Sequence, residues 1–534
     1  MDLFGLGPDG SYKLIAVIIY FIAMLLIGYY AFKKTDDGDD YMLGGRRLHP
    51  FTAALSAGAS DMSGWLMMGL PGALYMMGMF QAWMAIGLTI GAALNWIFVA
   101  PRLRRFTEVT NDSITIPSYF ENRLGDKSRI LRIVSGIVIL VFFTFYVSSG
   151  MTAGGKFFQS AFNGSYLTGM LLVAGITLAY TMFGGFLGAT YTDTVQGLIM
   201  LAALFVVPVL AVISVGGPQQ VIDGVLSVNP DFGSLMKGGT IVGAVSAAAW
   251  GLGYFGQPHI IIRFMALRSS RDARWGAAIG VGWMVLSVIG VIVTSMAGIA
   301  YFNLNQDKQL TDTKSAETVV LDLAHNLMPS LLAGFVLAAV LAAIMSTISS
   351  QLVVTSSALV EDLALVFKPG MSKTTKLWLG RLAVLIVAII AAVLALEENA
   401  TVLGLVAFAW AGFGSAFGPV VVLSLYWKRL TNWGAMAGIV GGATVAFVWS
   451  KSETLSTFGG ALSEPLYEIV PGFLTCLVLA VVVSLLTPAP GEKELAGFRH
   501  MEAPTQAVPI VQAAGANAAG DTANPGQAEP GMKA

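Results

Sequence analysis

Charge is what this chain of 534 residues has least of: Asp, Glu, Lys and Arg make up only 11% of it, against roughly 25% in a soluble domain. Hydrophobic residues reach 56%, far more apolar side chain than a water-facing surface could hide. A soluble globule is excluded. Cysteine is scarcer still: the lone Cys476 cannot close a disulfide within the chain, and no Cys/His pair has metal-ligand spacing. Neither a disulfide scaffold nor a zinc site is encoded. The 30 Lys and Arg nearly balance the 31 Asp and Glu, and the basic residues sit in short loops. The dense basic face that nucleic acid requires is missing, so no nucleic-acid partner is expected. Histidines are few, and none of His49, His259, His325 and His500 is assigned a catalytic role.

What is abundant is long apolar runs. A helix needs about 20 apolar residues to cross a hydrocarbon core about 30 Å thick. Such runs lie near 12–32, 51–77, 79–101, 130–160, 166–187, 192–216, 239–265, 275–301, 330–367, 376–397, 400–427, 433–450 and 465–487. Lipid satisfies no open backbone, and the runs are too long and too continuously apolar for barrel strands. The fold class is an all-α integral membrane protein of about thirteen transmembrane helices. The first run follows an uncharged-to-acidic leader and lacks a small-residue cleavage site, so it reads as a retained span and not as a signal peptide.

Lys and Arg favour the cytoplasmic side. With the N-terminus outside, thirteen spans place only Lys13, Lys156, Lys237, Lys308, Lys314 and Lys451 opposite, leaving 24 of the 30 basic residues inside. The C-terminus then lies in the cytoplasm. Residues 488–534 turn abruptly to Ala, Pro, Gly and Gln and read as a disordered cytoplasmic tail. The loops at 102–129 and 303–329 are long enough for short interfacial helices, for example around Tyr119 to Arg123.

Several residues are out of place inside these runs. Asp61 stands ten residues into the second, about 15 Å along a helix and so near the midplane. A carboxylate there costs at least ~2.5 kcal/mol on insertion scales, so it requires a partner, a cavity or a function. The surrounding Gly58, Ser60, Ser63 and Gly64 suit a helix broken at the midplane, with carbonyls exposed to a cation and N–H groups to an anion. In the ninth run, Ser346 and Thr347 follow Ala343 by three and four positions and share its face. Two hydroxyls, the Ala343 carbonyl and the carbonyls of the broken second helix would suit a hard monovalent cation. The plainer reading is that these hydroxyls bond back to their own helix.

The seventh run carries Trp250-Gly251-Leu252-Gly253-Tyr254-Phe255-Gly256-Gln257-Pro258 across its centre. Its Gly-x-Gly-x-x-Gly has no strand before it, so it marks a second helix break and not a dinucleotide loop. Membrane Trp and Tyr usually line the interfaces. Central Trp250, Tyr254 and, in the fourth run, Tyr146 therefore point to an aromatic cavity or to packing. The Gly87/Gly91 and Gly276/Gly280 pairs read as helix packing.

The stretch Leu55 to Trp65 (Leu-Ser-Ala-Gly-Ala-Ser-Asp-Met-Ser-Gly-Trp), Gly184 to Gln196 and Ala343 to Thr347 closely resembles the sodium/solute symporter family. The likeness runs from about residue 10 to 487; a sparse cysteine complement, Val147-Ser148 and Gly155-Lys156 are departures. It implies a leucine-transporter-like core of two inverted five-helix repeats, 51–216 and 239–427. Flanking these are residues 1–50, with the first helix and first cytoplasmic loop, and two C-terminal helices at 433–487. It implies a sodium site from the carbonyls of Ala59, Met62 and Ala343 and the hydroxyls of Ser346 and Thr347, with Asp61 and Asp193 coupling the ion. The implied substrate region is Ser63, Gly64, Tyr146, Trp250, Tyr254, Gln257 and Pro258. The implied activity is secondary active import of L-proline with sodium by alternating access across the cytoplasmic membrane, without an obligate protein partner. A membrane enzyme would need a metal or nucleophile cluster at one depth, and a sensor an output module beyond residue 487; the sequence offers neither. A channel remains as the other alternative.

Overall fold

The computed structural model describes residues 7–35, 38–368, 370–397, 401–462 and 464–502. Among them there is no strand, only an isolated bridge between Leu48 and Leu267. The helices used below are α1 (Gly7–Phe32), α2 (Pro50–Asp61), α3 (Leu70–Met77), α4 (Ala82–Leu94), α5 (Ala100–Val109), α6 (Ile116–Leu124) and α7 (Ile130–Phe162). They continue with α8 (Tyr166–Val215), α9 (Ile241–Ala248), α10 (Pro258–Met265), α11 (Ala273–Leu304), α12 (Ser330–Ser357) and α13 (Lys373–Leu394). The last are α14 (Val402–Tyr426), α15 (Asn432–Lys451), α16 (Ile469–Leu486) and α17 (Glu492–Glu502).

Ten helical segments among the described residues are long and apolar enough to cross a membrane. Two of them are far too long to do so once. The 50 residues of α8 would extend about 75 Å if straight. Gly185 interrupts it at φ 55°, ψ −147°, a backbone state that only glycine adopts freely. Beyond it the chain folds back: a Cβ on Gly188 would lie 3.6 Å from the Tyr180 carbonyl oxygen, where a straight helix would set the two positions about 12 Å apart. Gly78, at φ 66°, ψ −155°, likewise breaks the run from Trp65 to Val109. The reversal in α8 comes a few residues before the boundary that hydropathy suggested.

Burial orders the helices. In its most apolar stretch, the segment Ser330–Phe367 is 83% buried and α14 78%, while α1 and α16 are only 28% buried. So α12 and α14 stand at the centre, with α12 packed against α1, α7 and α8. Ile19 and Leu26 on α1, Phe205 and Ile213 on α8, and Leu474 and Val478 on α16 remain exposed.

The loop at 102–129 does contain a helix, α6, whose start is fixed by a capping box between Thr115 and Ser118. A difference appears after the last span. Residues 492–502, within the stretch read as disordered, form α17. Its Phe498 is 1% exposed, edge-on to Phe106 at 5.1 Å and 4.4 Å from the Arg123 guanidinium. One aromatic anchor and a cation over its face give this helix a seat that the tail's average composition conceals. The expectation for 503–534 lies outside the described residues.

Candidate functional site

The second apolar run is broken where its Gly and Ser residues cluster. Helix α2 ends at Asp61, Met62 leaves helical geometry at φ −78°, ψ 76°, and the chain resumes through a π-helical turn, Trp65–Gly69, into α3. The break is pinned locally: the Trp65 indole donates to the Asp61 carbonyl at 2.9 Å, and the Ser63 N–H donates to the same carbonyl at 2.9 Å. Gly58 is required just before it, because a Cβ there would meet the Trp283 ring at 2.7 Å.

Helix α12 meets this break at its own middle. The Ser346 hydroxyl donates to the Ala59 carbonyl at 2.7 Å and lies 3.1 Å from the Ala343 carbonyl, to which Thr347 also donates at 3.3 Å. Ala59, Met62, Ala343, Ser346 and Thr347 are all buried. Carbonyls of an unwound segment beside two hydroxyls form the neutral oxygen set that suits a hard monovalent cation. Both hydroxyls also bond back to the Ala343 carbonyl of their own helix, as the plainer reading expects.

Asp61 faces the other way. Its Oδ2 accepts a hydrogen bond from the Tyr254 hydroxyl, while its Oδ1 is buried without a hydrogen-bond partner in the structure. It lines a cavity of about 20 Å³ with Gly58, Met62, Asn95, Trp283 and Met284, room for about one water. Asn95 donates to the Tyr254 carbonyl at 2.9 Å. The carboxylate is thus tied to the seventh run and stands beside the α12 hydroxyls, not among them.

Asp193 sits in a second buried polar cluster. Its Oδ2 accepts from Ser56 at 2.7 Å, Ser350 at 3.0 Å and Arg263 at 3.1 Å. Arg263 also donates to Ser56 at 3.1 Å and to the His259 carbonyl at 2.5 Å, and it bonds Ser350. Asp193 and Arg263 are fully buried, which only a paired, hydrogen-bonded geometry tolerates. Ser350 follows Ser346 by one helical turn, about 6 Å, so the two polar centres share one face of α12. Arg263 was counted among the cytoplasmic loop charges; its place two residues inside the end of the apolar run at 239–265 was the available signal.

The seventh run is also broken. After α9 the chain tightens into a 3₁₀ segment, Ala249–Gly256, then Gln257 becomes extended and Pro258 opens α10. Trp250 and Tyr254 both contact Trp410 of α14, at ring distances of 6.2 and 5.3 Å. The Trp410 indole donates to the Trp250 carbonyl at 2.8 Å, and Gln257 donates to the Trp410 carbonyl at 3.1 Å. Gly253 permits this approach, since any Cβ there would collide with the Trp410 ring. Tyr146 lies beside Ser63 and edge-on to His259 at 5.8 Å. Gly64 packs on Ala153, where a Cβ would stand at 3.0 Å. The Gln257 side-chain amide oxygen, Oε1, and both His259 ring nitrogens are buried without a hydrogen-bond partner in the structure, unusual for a protein interior. Trp250 further lines a vestibule of about 810 Å³ with Ala73, Glu317, Trp449 and Tyr467. Sequence reading missed Trp410 and Tyr467.

Residues 41–442 match the model of the sodium:solute symporter family. The chain belongs to that family. It is 52% identical over 470 residues to the high-affinity proline transporter of Bacillus subtilis (strain 168), covering 88% of this chain and 97% of that one. To the sodium/proline symporter of Escherichia coli (strain K12) it is 46% identical, with coverage of 93% and 97%. A solved Na⁺-coupled sialic acid symporter in a substrate-bound outward-open state superposes with a TM-score of 0.75 at 19% identity, covering 90% of this chain and 99% of that one. At that identity the likeness concerns the fold. Membership in this family makes the chain a multi-pass membrane transporter and not an enzyme.

Proposed function

We propose that this sodium:solute symporter imports L-proline with sodium by alternating access. The observation that carries the reading is the meeting of the broken α2 with the α12 hydroxyls, one helix turn from a buried Asp193/Arg263 pair and next to the aromatic group of Trp250, Tyr254 and Tyr146. Relatives at 46–52% identity named as proline transporters support the substrate.

Sodium, as cargo, takes the carbonyls of Ala59, Met62 and Ala343 and the hydroxyls of Ser346 and Thr347; these must turn their hydrogens away from the carbonyls they now meet. Asp61 supplies negative charge beside this position, and Asp193 acts on the ion's cytoplasmic exit. The proline carboxylate meets the broken second span at Ser63 and Gly64, at a positive half-helix end. Because the Ser63 N–H already serves the Asp61 carbonyl, Gly64 is the N–H anchor and Ser63 contributes its side chain. The proline ring packs on Trp250, Tyr146 and Tyr254, with Gln257 and Pro258 shaping the far wall. Sodium entering down a 100 mV potential supplies about 2.3 kcal/mol per charge, enough for tens-fold accumulation.

In this reading thirteen spans cross the bilayer: α8 counts twice across Gly185, the Trp65–Val109 run twice across Gly78, and the interrupted α9 to α10 segment adds one. Residues 51–216 and 239–427 form the inverted repeats. The exposed apolar faces meet the lipid of the cytoplasmic membrane, with the N-terminus outside and the C-terminus inside. Uptake of labelled L-proline into proteoliposomes under an imposed sodium gradient tests the proposal, with glucose, pantothenate, acetate and other amino acids as competitors. Sodium-driven proline entry is the expected result; accumulation of a competitor with no proline entry would refute the substrate.

A further inference from the structure

Trp250 already has ring partners. It lies nearly parallel to Trp410, at 6.2 Å and 27°, and nearly parallel to Tyr467, at 5.4 Å and 22°. These partners differ in freedom. Trp410 is fully buried and hydrogen-bonded to the Trp250 carbonyl, so it belongs to the fixed wall. Tyr467 is half-buried, lines the vestibule with Trp250, and precedes α16, outside both proposed repeats. Its position is set by two hydrogen bonds: its hydroxyl donates to the Ala407 carbonyl at 2.7 Å, and its N–H to Ser246 at 3.1 Å. A substrate ring arriving from the vestibule therefore meets a Trp250 that is already stacked.

We propose that Tyr467 is a displaceable lid on the substrate region, stacking on Trp250 in competition with the ring of the substrate and so setting both affinity and tolerated ring size. This rests on the reading of Trp250 as a residue that receives the proline ring. When a binding surface is free for only part of the time, apparent affinity falls by that fraction. One aromatic pair of this kind shifts such an equilibrium by about two- to tenfold. The lid comes from the last span, so opening it is a local movement of one side chain and its backbone anchor.

The test measures half-saturating L-proline and maximal rate in proteoliposomes at a fixed sodium gradient for Tyr467→Phe, Tyr467→Leu and Tyr467→Ala, each normalised to transporter in the membrane. Loss of the ring in the Leu and Ala variants should lower half-saturating proline several-fold, and inhibition by a six-membered cyclic imino acid should strengthen more than proline binding does. Tyr467→Phe keeps the ring but loses the bond to Ala407, so its half-saturation should fall between those of wild type and Tyr467→Ala. If Tyr467→Ala does not reach the membrane, Tyr467→Leu gives the same readout, because it keeps bulk and removes the aromatic face. Unchanged or raised half-saturation in the ring-less variants would overturn the lid, as would a Phe variant that lowers half-saturation further than Ala does. Trp250→Ala separates the two layers of the argument. If it weakens proline affinity while the Tyr467 variants stay at wild type, the lid alone fails; if it leaves affinity unchanged, the underlying reading of Trp250 fails with it.

Discussion

Ser346 and Ala59 are 287 positions apart, yet the hydroxyl of one donates to the carbonyl of the other at 2.7 Å. That bond joins the broken second span to the centre of α12, so under the proposed function a cation placed there would hold the two helices together. Thr347 makes no such bridge in this structure and bonds only within its own helix. Thr347→Ala should therefore raise the sodium needed for half-maximal uptake, by tenfold or more if one hydroxyl ligand contributes about 1.4 kcal/mol, with little change in membrane abundance. Ser346→Ala should do the same and also lose stability by about 1 kcal/mol, the net value of one hydrogen bond. Sodium titration of initial uptake rates checks both, and unchanged sodium dependence in Thr347→Ala would remove it from the ion site.

In the proposed function Asp61 acts through its charge and not only through its shape. Asp61→Asn keeps the volume and should largely abolish sodium-driven accumulation. Tyr254→Phe removes the hydroxyl that contacts Asp61 but leaves the carboxylate, so its defect should be partial, with both sodium and proline half-saturation raised. Normal accumulation by Asp61→Asn would defeat the proposed role.

How much of this was legible in the sequence depended on distance along the chain. The break at Met62 and the shared face of Ala343, Ser346 and Thr347 were legible because each is set by residues within a turn or two. So was the break around Gly256 to Pro258. Long-range pairs were not: nothing local to Asp193 announces Arg263, and nothing near Trp250 announces Tyr467. Arg263 was misplaced for a physical reason, since counting basic residues by side assumes that each is hydrated, and this one is neutralised by a buried partner. The helix at 492–502 was missed because a composition average over a long tail dilutes one seated phenylalanine.

The Asp193/Arg263 pair should reveal itself through unequal single and double variants. Removing one partner strands the other charge in the interior, which costs about 3–5 kcal/mol. Arg263→Met and Asp193→Asn should each lower membrane abundance or thermal stability strongly. The double variant should recover much of the stability, since neither charge is then buried alone, while uptake stays impaired. Detergent-solubilised melting measured beside uptake separates the two effects, and full additivity of the single losses would show that the pair is not coupled.

Topology can be tested with unusual clarity because the one native thiol, Cys476, is fully buried. In a Cys476→Ser background, single cysteines replacing Lys33, Arg271, Lys373 and Arg499 should react with a membrane-impermeant maleimide only from the cytoplasmic side. Cysteines replacing Lys237 and Lys314 should react only from outside. The Gly185 reversal makes this informative: if α8 crossed once, every position after it would switch sides. Lys237 labelled from the cytoplasm, with Lys33 labelled from the same side, would break the thirteen-span arrangement.

Glu317 gives a final prediction at the vestibule. It is 2% exposed, pairs with Lys156 at 3.0 Å, and accepts from the N–H groups of Val402 and Leu403 at 3.3 and 3.2 Å, at the start of α14. A carboxylate on a helix N-terminus is favoured by the exposed N–H groups and the helix dipole, and here it fastens the segment at 303–329 to α7 and α14 together. Glu317→Gln keeps hydrogen-bonding capacity but leaves the Lys156 ammonium unneutralised, so the loss should exceed that of Lys156→Met, which leaves Glu317 its two backbone donors. The expected order of uptake is wild type, then Lys156→Met, then Glu317→Gln, with the double variant no worse than Glu317→Gln alone. Rates and abundance measured on the four proteins check the order. A Lys156→Met defect as severe as that of Glu317→Gln would mean that the ion pair, and not the helix terminus, is what holds Glu317 in place.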